Sequence, residues 1–224
     1  MDDQTIDIRT AGIEDKYEAL QVLSAYCPVM GSRLAPYMIE TLEICLSSLR
    51  FYFHLGVREI CVLYVYLCIF FIRSFALRSR LIPKLLEIGK SCKLLTDQMV
   101  CATFHQLTEC IKTERLASFV DSLYQCLKQA ILIIGDSSIL PRKIRDEISE
   151  SATRQLEIMA DRRNARVGRS VSEYGEQNIK RSILLDQIED FALQDMEEIL
   201  KMLDVHHPLL VTLSSMKDLT SKRG

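Results

Sequence analysis

The sequence predicts an all-α protein built from stacked antiparallel helix hairpins. Apolar residues recur at intervals of three and four through most of the 224 residues, and no alternating strand pattern or Asn-Gly hairpin signal interrupts them. Residues 11–58 divide into an amphipathic helix, a turn, a second amphipathic helix and the start of a third. A helix pair that cannot bury its apolar face alone implies a stack of repeats.

The elements follow in order from these stripes. Ile13, Tyr17, Leu20 and Leu23 line the first helix, and Leu34, Met38, Leu42, Cys45 and Leu49 the second, with Pro28 and Gly31 punctuating the turn between them. The octet FYFHLGVR, Phe51 to Arg58, then opens another helix. Further on, Val100, Phe104, Leu107 and Ile111 line one helix. Leu116, Phe119, Leu123, Leu127, Ile131 and Ile134 line the next, which Gly135 and Asp136 close. Pro141 falls in the first turn of a helix carrying Leu140, Ile144, Ile148, Ala152, Leu156 and Met159, where a missing N–H costs little. Spacing by fours drifts around a helix, as expected where one helix touches neighbours on both sides.

From Asp161 to Ser182 the pattern fails. Arg162, Arg163, Arg166, Arg169, Lys180 and Arg181 stand among Gly168, Ser170, Ser172 and Gly175, which predicts a flexible basic linker. Periodicity returns at Ile183 and runs through Ile188, Phe191, Ile199 and Leu203 until His206, His207 and Pro208 break it. The apolar LLVTL that follows soon gives way to a polar tail, leaving an apolar edge without a polar cap. The predicted organisation is a repeat section over 1–160, a linker over 161–182 and a further, incomplete hairpin over 183–224.

One block does not fit. Ile60 to Ile72 is an unbroken run of thirteen apolar residues, ICVLYVYLCIFFI, without a polar face. It is shorter than the roughly 20 residues that span a bilayer. A buried helix is therefore expected before a membrane segment, with a membrane-associated helical protein as the lesser alternative.

Composition narrows function. A formal charge of −2 and a pI near 6.1 give no whole-chain case for nucleic acid or anionic lipid. The eight cysteines, Cys27, Cys45, Cys61, Cys68, Cys92, Cys101, Cys110 and Cys126, are scattered through helical stripes with no C-x-x-C pair, so they read as small apolar residues in a reducing compartment. The acidic start MDDQTIDIRT lacks the apolar core of a secretory signal, and a cytoplasmic or nuclear setting is expected.

Catalytic and metal signatures are absent. There is no G-x-S-x-G elbow, P-loop or G-x-G-x-x-G string, and His206-His207 has no third ligand at helical spacing. Neither enzyme activity, a cofactor nor a metal is expected. Asp186, Asp190, Glu197 and Asp204 share one azimuth of the last long helix, at offsets of four, seven and seven. They read either as a solvated face or as an acidic surface for basic partners; Asp186, Asp190 and Glu197 are the candidate contacts.

The lead-in TAGIEDKYEAL, the helix LAPYMIETLEICLSSL and the octet FYFHLGVR together resemble the middle-to-late HEAT repeats of the importin-beta superfamily, the importin-5 type in particular. The resemblance covers 10–58 well, 81–160 moderately and the rest only in helix order. It implies a HEAT-repeat α-solenoid that is one section of a much longer nuclear transport receptor. Implied partners are cargo proteins with basic localisation signals, nucleoporins and Ran GTPase in its GTP form, in the cytoplasm and the nucleus. A generic HEAT or armadillo interaction scaffold is the alternative.

The same resemblance bears on particular residues. It makes Arg58 a structural ladder residue, with Leu55 where many repeats place an aspartate. In the family the GVR helix runs straight into a string like LIPKLLEIGKS, so residues of about 60–78 form an atypical apolar insert, read as translated intron or a gene-model error. Where importin-5-like proteins carry an acidic DYDE-like stretch, this chain has EYGEQN.

Overall fold

A computed structural model describes residues 10–62, 81–135, 140–167 and 176–221. The elements are α1 (Thr10–Met30), a 3-10 helix (Gly31–Tyr37), α2 (Met38–Ser48), α3 (Leu55–Val62), α4 (Leu81–Ser91), α5 (Asp97–Thr113), α6 (Ala117–Ile134), α7 (Arg142–Val167), α8 (Glu176–Leu203) and α9 (Leu209–Ser221). No strand occurs among the described residues, and the fold is all-α. The chain divides into two compact units, Met1–Cys92 and Lys93–Gly224, in place of the break expected at 160.

In the first unit α1 packs on α3 and α2 on α4, so alternate helices stack in two layers. Leu20, Cys27, Met38, Leu42, Cys45, Leu49, Val57, Leu81 and Leu85 are buried between them. Pro28 does not end α1 but lies inside its last turn. Its missing N–H removes only the bond to the Ser24 carbonyl, close to where the helix stops in any case. Gly31, at φ +51, makes the left-handed step that stops it. Leu34 is buried as expected, but in the 3-10 helix rather than in α2.

The start of α3 is fixed by its neighbours. His54 Nδ1 accepts the Val57 N–H at 3.2 Å, an N-cap made by an imidazole, and the His54 ring lies 5.1 Å from that of Tyr17. A Cβ on Gly56 would stand 2.7 Å from Tyr17 Cε2 and 3.0 Å from His54 Cε1, so glycine is what lets α3 approach α1 this closely. Ile60, Cys61 and Val62, the first residues of the apolar run, complete α3 and are buried. The rest of the expected insert, 63–78, lies outside the described residues. Cys27 sits in the same core, and burial pushes its thiol up to about 11, so it is a packed thiol rather than a nucleophile.

The second unit repeats the scheme at greater length, with α5 on α7, α6 on α8, and α9 against α8. The Thr96 side chain caps α5 by accepting from Met99 N at 3.3 Å, and Gly135 at φ +108 closes α6. Phe104, Leu107, Ile111, Phe119, Leu123, Tyr124, Leu127, Ile148, Met159, Met196 and Leu200 form the core.

The linker expectation is corrected at both ends: α7 continues to Val167, and α8 begins at Glu176. Periodicity failed there because the inward positions are arginines that meet carboxylates, which an apolar stripe cannot reveal. Residues 168–175 lie outside the described residues. The closing hairpin is also fuller than its apolar pattern indicated, since α9 runs to Ser221.

Candidate interaction surface

The helices of the second unit are joined by polar contacts that originate on α7. Gln155, fully buried, donates from its amide to the Ile111 carbonyl and, at 2.8 Å, to that of Glu114, both at the C-terminal end of α5. The Glu114 carboxylate in turn accepts from Arg115 N and Leu116 N at 2.9 Å each, opening α6. Two turns of α7 further, Arg162 donates to the Arg115 carbonyl at 2.6 Å. The α5–α6 turn is thus held from behind by α7, with its backbone acceptors satisfied.

Glu189 of α8 is the centre of the next junction. Its side chain is 1% exposed and stands 3.0 Å from Arg162 Nε, 3.0 Å from Arg163 Nε and 2.6 Å from Arg166 Nη2. Arg163 also pairs with Asp190 at 2.9 Å and donates to the Met216 carbonyl of α9 at 3.3 Å, and Arg166 pairs with Asp186 at 2.6 Å. Three guanidinium groups face three carboxylates, so the cluster is balanced in charge. Burial works against the Arg166 charge, but the bonds to Glu189 and Asp186 outweigh it and hold its pKa above the ordinary arginine value. For Arg162 burial prevails, and its pKa is lowered.

The sequence-nominated acids therefore do not form a free acidic face. Asp186 and Asp190 answer Arg166 and Arg163, and Glu197 pairs with Lys201 at 2.5 Å and with Lys217 of α9. Hydrogen bonds from Lys201 and then Lys217 hold the Glu197 carboxyl below the usual carboxylate range. Counting azimuths on one helix could not show this, because every partner but Lys201 comes from another helix. Lys128 of α6, which the sequence did not single out, bridges to Asp195 and Glu198 of α8. Burial opposes its charge, and those two bonds overcome it and raise its pKa. A cation on α6 and anions two helices later carry no mutual signal in a single sequence.

Arg58 lies in the first unit. It is 5% exposed, donates from Nε to the Leu49 carbonyl at 2.8 Å and lies 4.6 Å from the Tyr52 ring centroid. It ties the start of α3 to the end of α2. His207 holds the α8–α9 turn to α7: Nδ1 accepts from Leu209 N at 3.3 Å, which leaves the proton on Nε2, 2.9 Å from Ser149 Oγ. Ser149 accepts that proton and donates its own to the Arg145 carbonyl at 2.9 Å.

No group of three or more His, Cys, Asp or Glu that could hold a metal ion occurs among the described residues, and none of their helices is long and apolar enough to cross a membrane. An open depression of about 610 Å³, lined by Lys112, Arg115, Glu150, Arg154 and Glu157 among others, is polar and unenclosed. These features define a protein of stacked helix hairpins.

Comparison with known proteins agrees. The chain is 25% identical over 199 residues, 85% of its own length, to importin subunit beta-3 of Saccharomyces cerevisiae. It also matches the crystal structure of the yeast karyopherin Kap121p with a TM-score of 0.61, at 20% identity over 96% of the chain. No protein-family model matches. The chain spans 16% of the importin and 18% of the Kap121p chain. This distant similarity supports the karyopherin superfamily, and the relatives are transport receptors rather than enzymes.

Proposed function

We propose that the chain is a middle-to-late section of an importin-5-like nuclear transport receptor that binds cargo proteins with basic localisation signals without covalent chemistry. What carries the reading is the coincidence of two-layer alternate-helix packing with similarity to a yeast importin across 85% of the chain. Nucleoporins and GTP-bound Ran are partners of the whole receptor, and a cytoplasmic and nuclear distribution accompanies that role.

Asp186, Asp190 and Glu197 are the proposed cargo contacts. Asp186 and Asp190, with side chains 40% and 43% exposed, face a cargo lysine from the solvent side, while Arg166 and Arg163 beneath them are only 19% and 9% exposed. Glu189, buried beneath them, keeps its arginines. The test is capture of a lysine-rich localisation peptide by the immobilised chain at about 0.1 M and about 1 M salt, between which the Debye length falls from roughly 10 to 3 Å. Capture at low salt that is lost at high salt is expected. No capture at low salt returns the chain to a generic HEAT or armadillo scaffold.

A further inference from the structure

The turn between α8 and α9 is closed by one imidazole. His207 Nδ1 accepts the Leu209 N–H at 3.3 Å, and its Nε2 stands 2.9 Å from Ser149 Oγ of α7. The His207 backbone adds a bond on each side, donating to the Asp204 carbonyl at 3.1 Å and accepting from Leu210 N at 3.0 Å. The Nδ1 bond satisfies one of the amides that open α9, which no carbonyl within that helix can reach. An imidazole serves there only while it is neutral, because protonation puts a hydrogen on Nδ1 and sets one donor against another.

The charges around His207 do not hold a proton on it. It lines a shallow depression with Arg142, Arg145 and Asp146 of α7, with Leu203 of α8 and with Asp204 just beyond. Two guanidinium groups thus stand against two carboxylates, and Asp204 is already engaged in accepting from His206 N at 2.9 Å. Lys201 of α8 and Lys217 of α9 are both drawn to Glu197. The first turn of α9 carries no charged side chain, and the positive end of its dipole opposes an imidazolium.

Beyond its first turn α9 is anchored independently. Leu213 is fully buried, Arg163 donates to the Met216 carbonyl at 3.3 Å, and Lys217 pairs with Glu197. We propose that His207 is a pH-sensitive latch: protonation releases the first turn of α9, residues 209–212, while the helix stays docked from Leu213 onward. This goes beyond the transport reading and does not depend on it. The other histidine bonded to α7 does not loosen with it, since a protonated His105 still donates from Nδ1 to Glu147, 3.2 Å away.

Amide hydrogen exchange of the full chain, corrected for the intrinsic pH dependence of exchange, tests the latch. From about pH 7.5 to about pH 5.5, the range in which imidazoles titrate, protection at 209–212 is expected to fall about three- to tenfold relative to 148–159 of α7. His207→Asn supplies an acceptor for the amide two residues on that does not titrate, so its protection is expected to be the same at both pH values. His207→Ala has no acceptor and is expected to be poorly protected at both. Unchanged protection at 209–212 in the wild type overturns the proposal. So does a pH-dependent loss that persists in His207→Asn, or one spread equally over α5 to α8.

Discussion

In the unit ending at Cys92, α1 to α4 meet through Leu20, Met38, Leu42, Val57 and Leu85, and Gly56 lets two backbones close against the Tyr17 ring. In the unit beginning at Lys93 the same alternate-helix packing is cross-braced by Gln155, by the arginines around Glu189 and by Lys128. The difference lies on the link from packing to specificity. An apolar face is non-directional and tolerates sliding, whereas a buried carboxylate met by three guanidinium groups is satisfied in one register. Long helices such as α7 and α8, of 26 and 28 residues, have more registers to exclude than α2 and α3, of 11 and 8.

Glu189→Ala gives the largest effect by which this contrast can be broken. It strips a buried counter-charge from Arg162, Arg163 and Arg166, and breaking a buried pair costs about 3–5 kcal/mol. Urea unfolding followed by hydrogen exchange should show the loss in 93–221 with amides of 10–62 unaffected. An equal loss in both units would remove the distinction drawn here.

Gln155→Ala should cost the second unit about 1–3 kcal/mol by leaving the Ile111 and Glu114 carbonyls short of a donor. Its counterpart in the first unit is Gly56→Ala, where the added methyl meets the Tyr17 ring and overpacking costs about 1–3 kcal/mol. Pairing Gly56→Ala with Tyr17→Leu sharpens the test, since relieving the ring contact should recover part of the loss in thermal unfolding.

The smallest effect is a pH dependence at the α8–α9 junction. The folded pKa of Glu197 is depressed, so its contribution is present above the ordinary carboxylate range and is lost as pH falls through the depressed value. At this exposure the pair is worth about 0.2–1 kcal/mol. Glu197→Gln should flatten the stability profile across acid pH by that amount and leave neutral-pH helicity unchanged.

What the sequence made legible were the elements whose inward residues are apolar. Phe104, Leu107 and Ile111 announced α5, and Leu123, Leu127 and Ile131 announced α6, because burial favours apolar side chains at helical spacing. The end of α7 reads as linker in the sequence because Arg162, Arg163 and Arg166 look solvent-facing until Glu189, 23 to 27 residues later, is brought beside them. The acidic azimuth of α8 was visible, but its neutralisation by α7 and α9 was not, since a single-helix pattern contains no information about charges on the next helix. Pro28 reads as punctuation because proline is costly in a helix interior, but its position in the last turn of α1 reduces that cost.

The most direct measurement of the proposed role is calorimetric titration of the chain with a lysine-rich localisation peptide, repeated with Asp186→Asn, Asp190→Asn and Glu197→Gln combined. These three changes keep side-chain size and leave Glu189 with its arginines. The account predicts binding by the wild type at about 0.1 M salt, weakened by roughly tenfold or more at about 1 M and in the triple variant. Binding that is equally strong in the triple variant at both salt concentrations would contradict it and leave these carboxylates as braces of the α7–α8–α9 stack.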